Sequence, residues 1–400
     1  MMSNLNAPPR HVKEADRTRS VAPGVVPAEM GRSALVVPTR VGDPDLMRHG
    51  IGVIVVAASL GLLAGCGSSP APSVRQGSVA TGVVTTAGSP SGARSAGTGH
   101  VLTVGGNAWV AVSVARLWQS PSAPWPVDAP ALSSPVRFRA WLSAMTLDQR
   151  RALDVRSQTE ALLGDRVVVV RLRPHWARVV VPTQPSQKDR RGYPGWVPLR
   201  QLTARPPTRT AQVATVTSRT AWLRSDGGDN ARIIEISVGT RLPALGRVGH
   251  YVRVLTPRGV TRRLASGAVV VRAPGHAALA ATRVGLRRTA KSFLGLQYLW
   301  GGLSGFGLDC SGLTWLDYRV HGIRIPRDAL PQSRHGRHTA TRHVGDLLFY
   351  ASDGLVHHVS MYIGGGDMIH APRTGEPVQI ARVSEQPLSS EYVGARRYVP

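Results

Sequence analysis

The stretch Gly307-Leu308-Asp309-Cys310-Ser311-Gly312-Leu313 decides how the chain is read. Asp309 suits a helix N-cap, and Leu313, Leu316, Tyr318 and Val320 supply apolar positions behind it. A helix is therefore expected from Cys310 to about Val320. That places the Cys310 sulfur at the positive end of a helix. A thiolate is stabilised there, so the thiol pKa is expected to fall below its free value of roughly 8.5. The amides of the first turn point outward and can hold the oxyanion that forms when a carbonyl is attacked.

A thiolate nucleophile needs a base, and two adjacent histidines compete for that role, His357 and His358. Strand parity separates them. Val359, Met361 and Ile363 alternate as the apolar face of a strand, and His358, Ser360 and Tyr362 lie on the other. On the return strand Met368 and His370 share a face. With a tight turn symmetric about residue 364, His358 and His370 are expected directly across from each other. His358 then meets the sulfur, and His370 orients the imidazole through its other nitrogen. This is nucleophile, base and orienter, with histidine as third member. By the same parity His357 falls on the apolar face and is read as structural.

Around this core lie Tyr298-Leu299-Trp300-Gly301-Gly302, Pro326-Arg327-Asp328, Gly345-Asp346-Leu347, His358-Val359 and Ile369-His370-Ala371-Pro372. Their order and spacing resemble the NlpC-type cysteine peptidases that cut bacterial cell-wall peptides. The resemblance spans roughly 280–400. It implies a papain-like α+β domain with Cys310 as nucleophile, His358 as base, His370 as third residue and Tyr298 beside the nucleophile. Upstream, Ala277–Leu294 is expected to be helical, with Leu279, Val284, Leu286 and Phe293 as its apolar positions.

Two β-rich blocks precede that domain. In the first, strands are expected at Ala108–Arg116, Asp165–Leu172 and Trp176–Val181, and a further one after the turn Gly192-Tyr193-Pro194-Gly195-Trp196-Val197. Pro135–Leu153 carries Phe138, Trp141, Leu142, Met145 and Leu147 at helical spacing and is read as a helical insertion. In the second, Ala211–Val216, Arg232–Ile236, Tyr251–Leu255 and Gly267–Val271 are expected strands between Gly, Asp and Pro signals. Regular short strands of this kind suggest small barrels. Both blocks resemble bacterial SH3-like domains of cell-wall enzymes. Two such domains before an NlpC-type domain resemble the γ-D-glutamyl-L-diamino-acid endopeptidases, which cut stem peptides with a free N-terminal L-Ala. By that resemblance Asp328 pairs with the substrate's α-ammonium, Ser311 lines the site and Tyr193 closes over the alanine end. Glu160 is the candidate for an acidic group from the first barrel. The subgroup's usual hydroxyl residue after the Asp is Ala329 here.

Further out, Met47-Arg48-His49 opens a basic stretch, and Gly50–Ala64 is apolar but short for a membrane span. It ends in Leu63-Ala64-Gly65-Cys66. This resembles the lipobox of bacterial lipoproteins, which implies that Cys66 is lipidated and that the protein is exported and anchored in the cell envelope. Lipidation of Cys66 would leave Cys310, the other of two cysteines, without a partner. Residues 1–46 are expected to be a leader or a mis-assigned start, 47–65 the signal and 66–100 a Ser/Gly/Ala-rich tether. The first SH3-like domain is expected at 101–205, the second at 206–274 and the peptidase at 275–400.

With 42% hydrophobic and 18% charged residues, the 400-residue chain can bury a core, which argues against wholesale disorder. Its formal charge is +26, and only three of its 49 basic residues are lysines (Lys13, Lys188 and Lys291). The arginines are spread evenly, without a basic helix or the fingerprint of a nucleic-acid fold, so attraction to an anionic envelope is the preferred reading. Nucleic acid is not an expected partner; peptidoglycan peptides and the membrane are. No ligand cluster accompanies the histidines, so neither metal nor organic cofactor is implied. The alternatives are an acyltransferase or amidase using the same Cys-His-His site, and a wall-binding lipoprotein without catalysis.

Overall fold

The computed structural model describes residues 100–399. Cys66, the signal segment and the stretch 66–99 lie outside the described residues. Three antiparallel sheets carry the architecture. The first holds, in chain order, Asn107–Val110, Val114–Trp118, Ser157–Leu162, Arg166–Arg173, Trp176–Val181, Tyr193–Pro198 and Leu202–Thr203. The second holds Gln212–Val216, Thr220–Arg224, Arg232–Ser237, Arg241–Val248, Tyr251–Leu255, Thr261–Ala265 and Val269–Arg272. In both, the spatial order is third, second, sixth, fifth, fourth, first, seventh strand. One seven-strand topology is thus used twice.

The second sheet contains three strands that sequence reading missed, at Thr220–Arg224, Arg241–Val248 and Thr261–Ala265. Their outward positions carry arginines, which obscure the alternation. In Thr261-Arg262-Arg263-Leu264-Ala265 only Leu264 turns fully inward. The expected strand at Ala108–Arg116 is split in two by residues 111–113.

The helical insertion is real but broken into Phe138–Ala144, Leu147–Arg151 and Leu153–Arg156. Met145 is extended, and Thr146 restarts the helix with a capping box to Gln149. Trp141 packs edge-on against Trp118 and Phe138, with ring centroids 6.4 and 5.1 Å apart. Phe138 reaches Phe306 of the C-terminal unit at 5.2 Å.

That C-terminal unit is α+β. Its six-stranded sheet runs in the order Arg337–Thr339, Tyr392–Arg397, Leu347–Ser352, Leu355–Gly364, Asp367–His370, Gln379–Arg382. Helix Cys310–Val320 packs on one face, where Leu313 and Leu316 share a core with Val359, Met361 and Ile369. The expected helix at Ala277–Leu294 is shorter, Arg283–Lys291. Thr282 caps it by accepting from the Gly285 N–H, so the chain before it stays non-helical. Val284, expected to face the core, is exposed.

A buried ion pair joins the first sheet to the C-terminal unit. Arg116 and Glu160 are wholly enclosed and meet at 2.8 Å. Arg116 also bonds the Ser157 hydroxyl at 2.7 Å and the Trp300 carbonyl. The other Glu160 oxygen accepts from the Leu303 N–H at 3.0 Å. Removing one partner strands a charge in a dry site and costs about 3–5 kcal/mol, whereas two apolar residues of similar volume restore much of that. Glu160→Ala should lower the urea midpoint accordingly, and Arg116→Met with Glu160→Leu should recover most of it. A loss below about 1 kcal/mol in the single variant would contradict this account.

Candidate active site

Helix Cys310–Val320 begins where the N-cap signal places it. Asp309 Oδ1 accepts from the Gly312 N–H at 2.6 Å. The same carboxylate takes the guanidinium of Arg327 on both oxygens, at 3.0 and 2.8 Å. Arg327 is 1% exposed and also reaches the Ser311 hydroxyl at 2.9 Å and the Thr159 hydroxyl of the first sheet at 3.0 Å. Ser311 donates in turn to Asp309 Oδ1 at 3.1 Å, so its hydroxyl, expected to line the site, belongs to this buried network.

Cys310 is a free thiol, 8% exposed. Its sulfur faces the amides of Ser311 and of Val359, the residue after His358. Tyr298 is buried within electrostatic reach of it, the place expected for that residue. His358 Nε2 lies 3.0 Å from His370 Nδ1. The ring nitrogen of His358 left over from this contact is Nδ1. His370 Nε2 is buried with no hydrogen-bond partner among the described residues.

The pairing register is not the one expected. Met361 stands opposite Ile369 and Tyr362 opposite Met368, followed by a bulge to the pair Gly364–Asp367. The turn residues are Gly365 and Gly366, both at positive φ (65° and 81°), with Gly364 at 96°. The pairing is therefore displaced by one residue at the turn, and His370 lies diagonal to His358 instead of directly across. A displacement that moves the partner by two positions keeps the face, so the rings still meet. His357 also departs from expectation. The ladder passes from Tyr350–His358 to Ala351–Val356, which leaves His357 as the extra residue of a bulge. It is exposed from the core and faces Glu391 at 3.3 Å.

The electrostatics reverse one expectation. Burial pushes the Cys310 thiol up to about 12, the Asp309 carboxylate adds to this, and the Val359 and Ser311 amides pull against it without prevailing. Sequence reading counted the helix terminus and omitted the desolvation. Burial likewise lowers His358 to about 3 and His370 to about 4; in the latter, Glu376 and Glu385 oppose the fall. Burial thus favours the neutral form of the thiol and of both imidazoles.

The first barrel supplies one wall of the site. Asp328 is the N-cap residue of helix Ala329–Arg334, yet its side chain makes no capping bond. The carboxylate instead shares a hydrogen bond with the buried Tyr193 hydroxyl. Burial raises the Asp328 pKa, while Arg327 and Lys188 oppose that rise. Glu160, expected on the substrate, is a correction: its oxygens are committed to Arg116 and the Leu303 N–H, and it is fully enclosed. Sequence reading gave no role to Arg327 or Lys188. Arg327 was visible within Pro326-Arg327-Asp328, and Lys188 only through the rarity of lysine.

A cavity of about 420 Å³ opens on the imidazole side, lined by His357, His358, His370, Glu376, Glu385 and Glu391 among others. A larger one, about 680 Å³, lies where the three sheet units meet, bounded by Arg166, Arg241, Arg319 and Trp315, and includes none of the site residues. Among the described residues no His, Cys, Asp or Glu side chains converge as metal ligands.

The match of a family description to this unit decides its kinship: NlpC/P60 family, residues 295–397. The chain belongs to the NlpC/P60 family. Residues 216–271 match the YKFC SH3b2 domain, which accounts for the second sheet. The chain is 40% identical over 303 residues to a γ-D-glutamyl-L-lysine dipeptidyl-peptidase of Bacillus cereus, covering 73% of this chain and 91% of that one. It is 38% identical over 292 residues to the protein of the same name from Bacillus subtilis, covering 71% and 96%. A crystal structure of an NlpC/P60 family protein from Bacillus cereus superposes with TM-score 0.70 at 39% identity, over 74% of this chain and all of that one. NlpC/P60 membership makes the chain a cysteine peptidase, with SH3-like domains before an α+β catalytic domain.

A raised thiol pKa has a direct readout. Only the thiolate is alkylated, so iodoacetamide labelling of Cys310 in the folded, substrate-free protein should stay slow at pH 7 and climb through the alkaline range. A half-maximal rate at or below about pH 8.5 would show a thiol unperturbed by burial. The two histidines act at the other end. Folding holds them neutral, so the stability they contribute is complete above about pH 6.5 and lost as pH falls toward 4. The urea midpoint should drop over that span, and less so in His358→Gln/His370→Gln.

Proposed function

We propose that this cysteine peptidase hydrolyses peptidoglycan stem peptides at the γ-D-Glu–diaminopimelate bond, acting on peptides with a free N-terminal L-Ala. The observation that carries the reading is the 3.0 Å contact between His358 and His370, with a buried thiol at a helix N-terminus facing the amide of the residue after His358. Cys310 is the nucleophile, His358 the base and His370 the residue that orients it. As the sulfur bonds to the γ-carbonyl carbon, its proton passes to His358 Nδ1. First-turn amides take the oxyanion. The diamino acid's amine then leaves with that proton, and a thioester remains. Water attacks the thioester, His358 takes its proton, and the γ-D-Glu carboxyl and the free thiol are released.

Asp328 and Tyr193 form the amine end of the cleft. A carboxylate facing a desolvated ammonium favours processed peptides over intact strands in which that nitrogen is an amide. The names of the Bacillus relatives, which specify γ-D-glutamyl-L-lysine, support the γ-glutamyl side of this assignment and make lysine the second diamino acid to assay. We further infer export and lipid anchoring through Cys66, supported by the run from Met47 to Cys66.

Cys310→Ala and His358→Ala should each abolish cleavage of L-Ala-γ-D-Glu-diaminopimelate, read by mass spectrometry, without unfolding the protein. Full turnover by either would defeat the assignment, and transfer of the acyl group to an added amine would mark an acyltransferase. Asp328→Asn should cost about tenfold or more in kcat/KM on the free-amine peptide, as expected for a charged hydrogen-bonding partner of 1.5–3 kcal/mol, and little on its N-acetyl form. Cys66→Ala should move the protein from the membrane to the soluble fraction; unchanged partitioning would remove the anchor.

A further inference from the structure

Lysine is scarce in this chain, three residues among 49 basic ones, and one of the three stands at the mouth of the site. Lys188 lies in the segment between strands Trp176–Val181 and Tyr193–Pro198. The backbone of that segment is pinned. The Pro185 carbonyl accepts from the Arg327 N–H at 3.0 Å. Gln184 bonds the Thr159 hydroxyl at 2.8 Å and the Glu160 carbonyl at 2.6 Å. The side chain of Lys188 is not held in this way. The residue is exposed to solvent, yet its ammonium turns inward and donates to the Tyr193 hydroxyl at 2.7 Å and to Gln158 Oε1 at 2.6 Å. It lies 4.6 Å from the centroid of the Tyr193 ring. None of these partners is an anion. The carboxylate that feels the charge most is Asp328, which shares the Tyr193 hydroxyl with it; Asp309, paired with Arg327, feels it less.

We propose that Lys188 is the resident cation of the amine subsite, standing in for the substrate's α-ammonium at Asp328 and Tyr193 until an incoming peptide displaces it. The inference rests on the amine-binding role of Asp328 proposed above. Arg327 is already paired with Asp309, which leaves the one carboxylate of Asp328 for two ammonium groups, and the like charges repel. One of them leaves when the substrate arrives. Lys188 is the one free to go: its stem reaches solvent, its head is compact and readily hydrated, and its backbone need not move. An arginine would leave less easily, because its guanidinium is weakly hydrated and binds as a planar fork. Lys188 is therefore a specificity-determining residue. It sets a threshold that a peptide passes only by bringing its own ammonium, and an amide-linked stem leaves it seated.

The test compares the purified full chain with Lys188→Met and Lys188→Arg on L-Ala-γ-D-Glu-diaminopimelate and its N-acetyl form. Lys188→Met should lower KM for the free-amine peptide three- to tenfold with kcat within twofold, and the gain should be confined to that peptide. Lys188→Arg, which keeps the charge, should leave KM at or above its original value. A rise in KM on Lys188→Met would overturn the proposal by making Lys188 a substrate ligand. Equal changes on both peptides, or a change in kcat alone, would overturn it by making the role structural. Asp328→Asn separates the two levels. If that variant keeps full preference for the free amine, the amine subsite itself is misplaced. If the preference collapses while Lys188→Met leaves KM unmoved, only the assignment of Lys188 fails.

Discussion

The Asp309–Arg327 ion pair ties three parts of the molecule to one point. Asp309 caps the helix that begins at Cys310, and its two oxygens clamp a guanidinium that is 1% exposed. Arg327 precedes Asp328 in sequence and reaches Thr159 in the first sheet. Cys310, Asp328 and the neighbouring barrel are thereby registered against one another. A buried pair of this kind contributes little net stability beside an apolar substitute, and loss of either half leaves an uncompensated charge. Its value here is geometric. Its two halves act oppositely on the sulfur: the Asp309 carboxylate, one residue away, opposes ionisation, and Arg327 partly offsets it.

The contact between domains is continuous, not incidental. A single apolar core runs from Trp118 and Trp141 of the first unit through Phe306 to Leu313 and Val359 of the last. The Arg116–Glu160 pair sits inside that junction and bonds the Trp300 carbonyl and the Leu303 amide. The second sheet keeps a separate core, built around Val216, Leu223, Ile236 and Val254. The first unit is thus part of the catalytic body, whereas the second is an adjoining module with the same strand order.

Much of this was legible in residues. The helix start at Cys310 follows from Asp309, and the pairing of His358 with His370 follows from alternation along two strands. Both depend on local periodicity, which a sequence displays. What depended on the count of residues through a turn went astray. Three successive glycines allow more than one turn, so the register moved; a separate bulge in the neighbouring ladder took His357 out of the alternation. What depended on burial was invisible. Neither the enclosure of Glu160 nor the desolvation of Cys310 has a signature in neighbouring residues. The twofold use of one strand order was hidden because arginines on outward positions blur the alternation in Thr261–Ala265.

The neutral, enclosed thiol has a chemical corollary. Peroxide and most other oxidants react with the sulfur anion and ascend from sulfenic to irreversible sulfinic and sulfonic acids. A cysteine that keeps its proton and shows little surface to solvent offers them poor access. Enclosure of the sulfur thus slows its oxidation relative to that of an exposed thiolate.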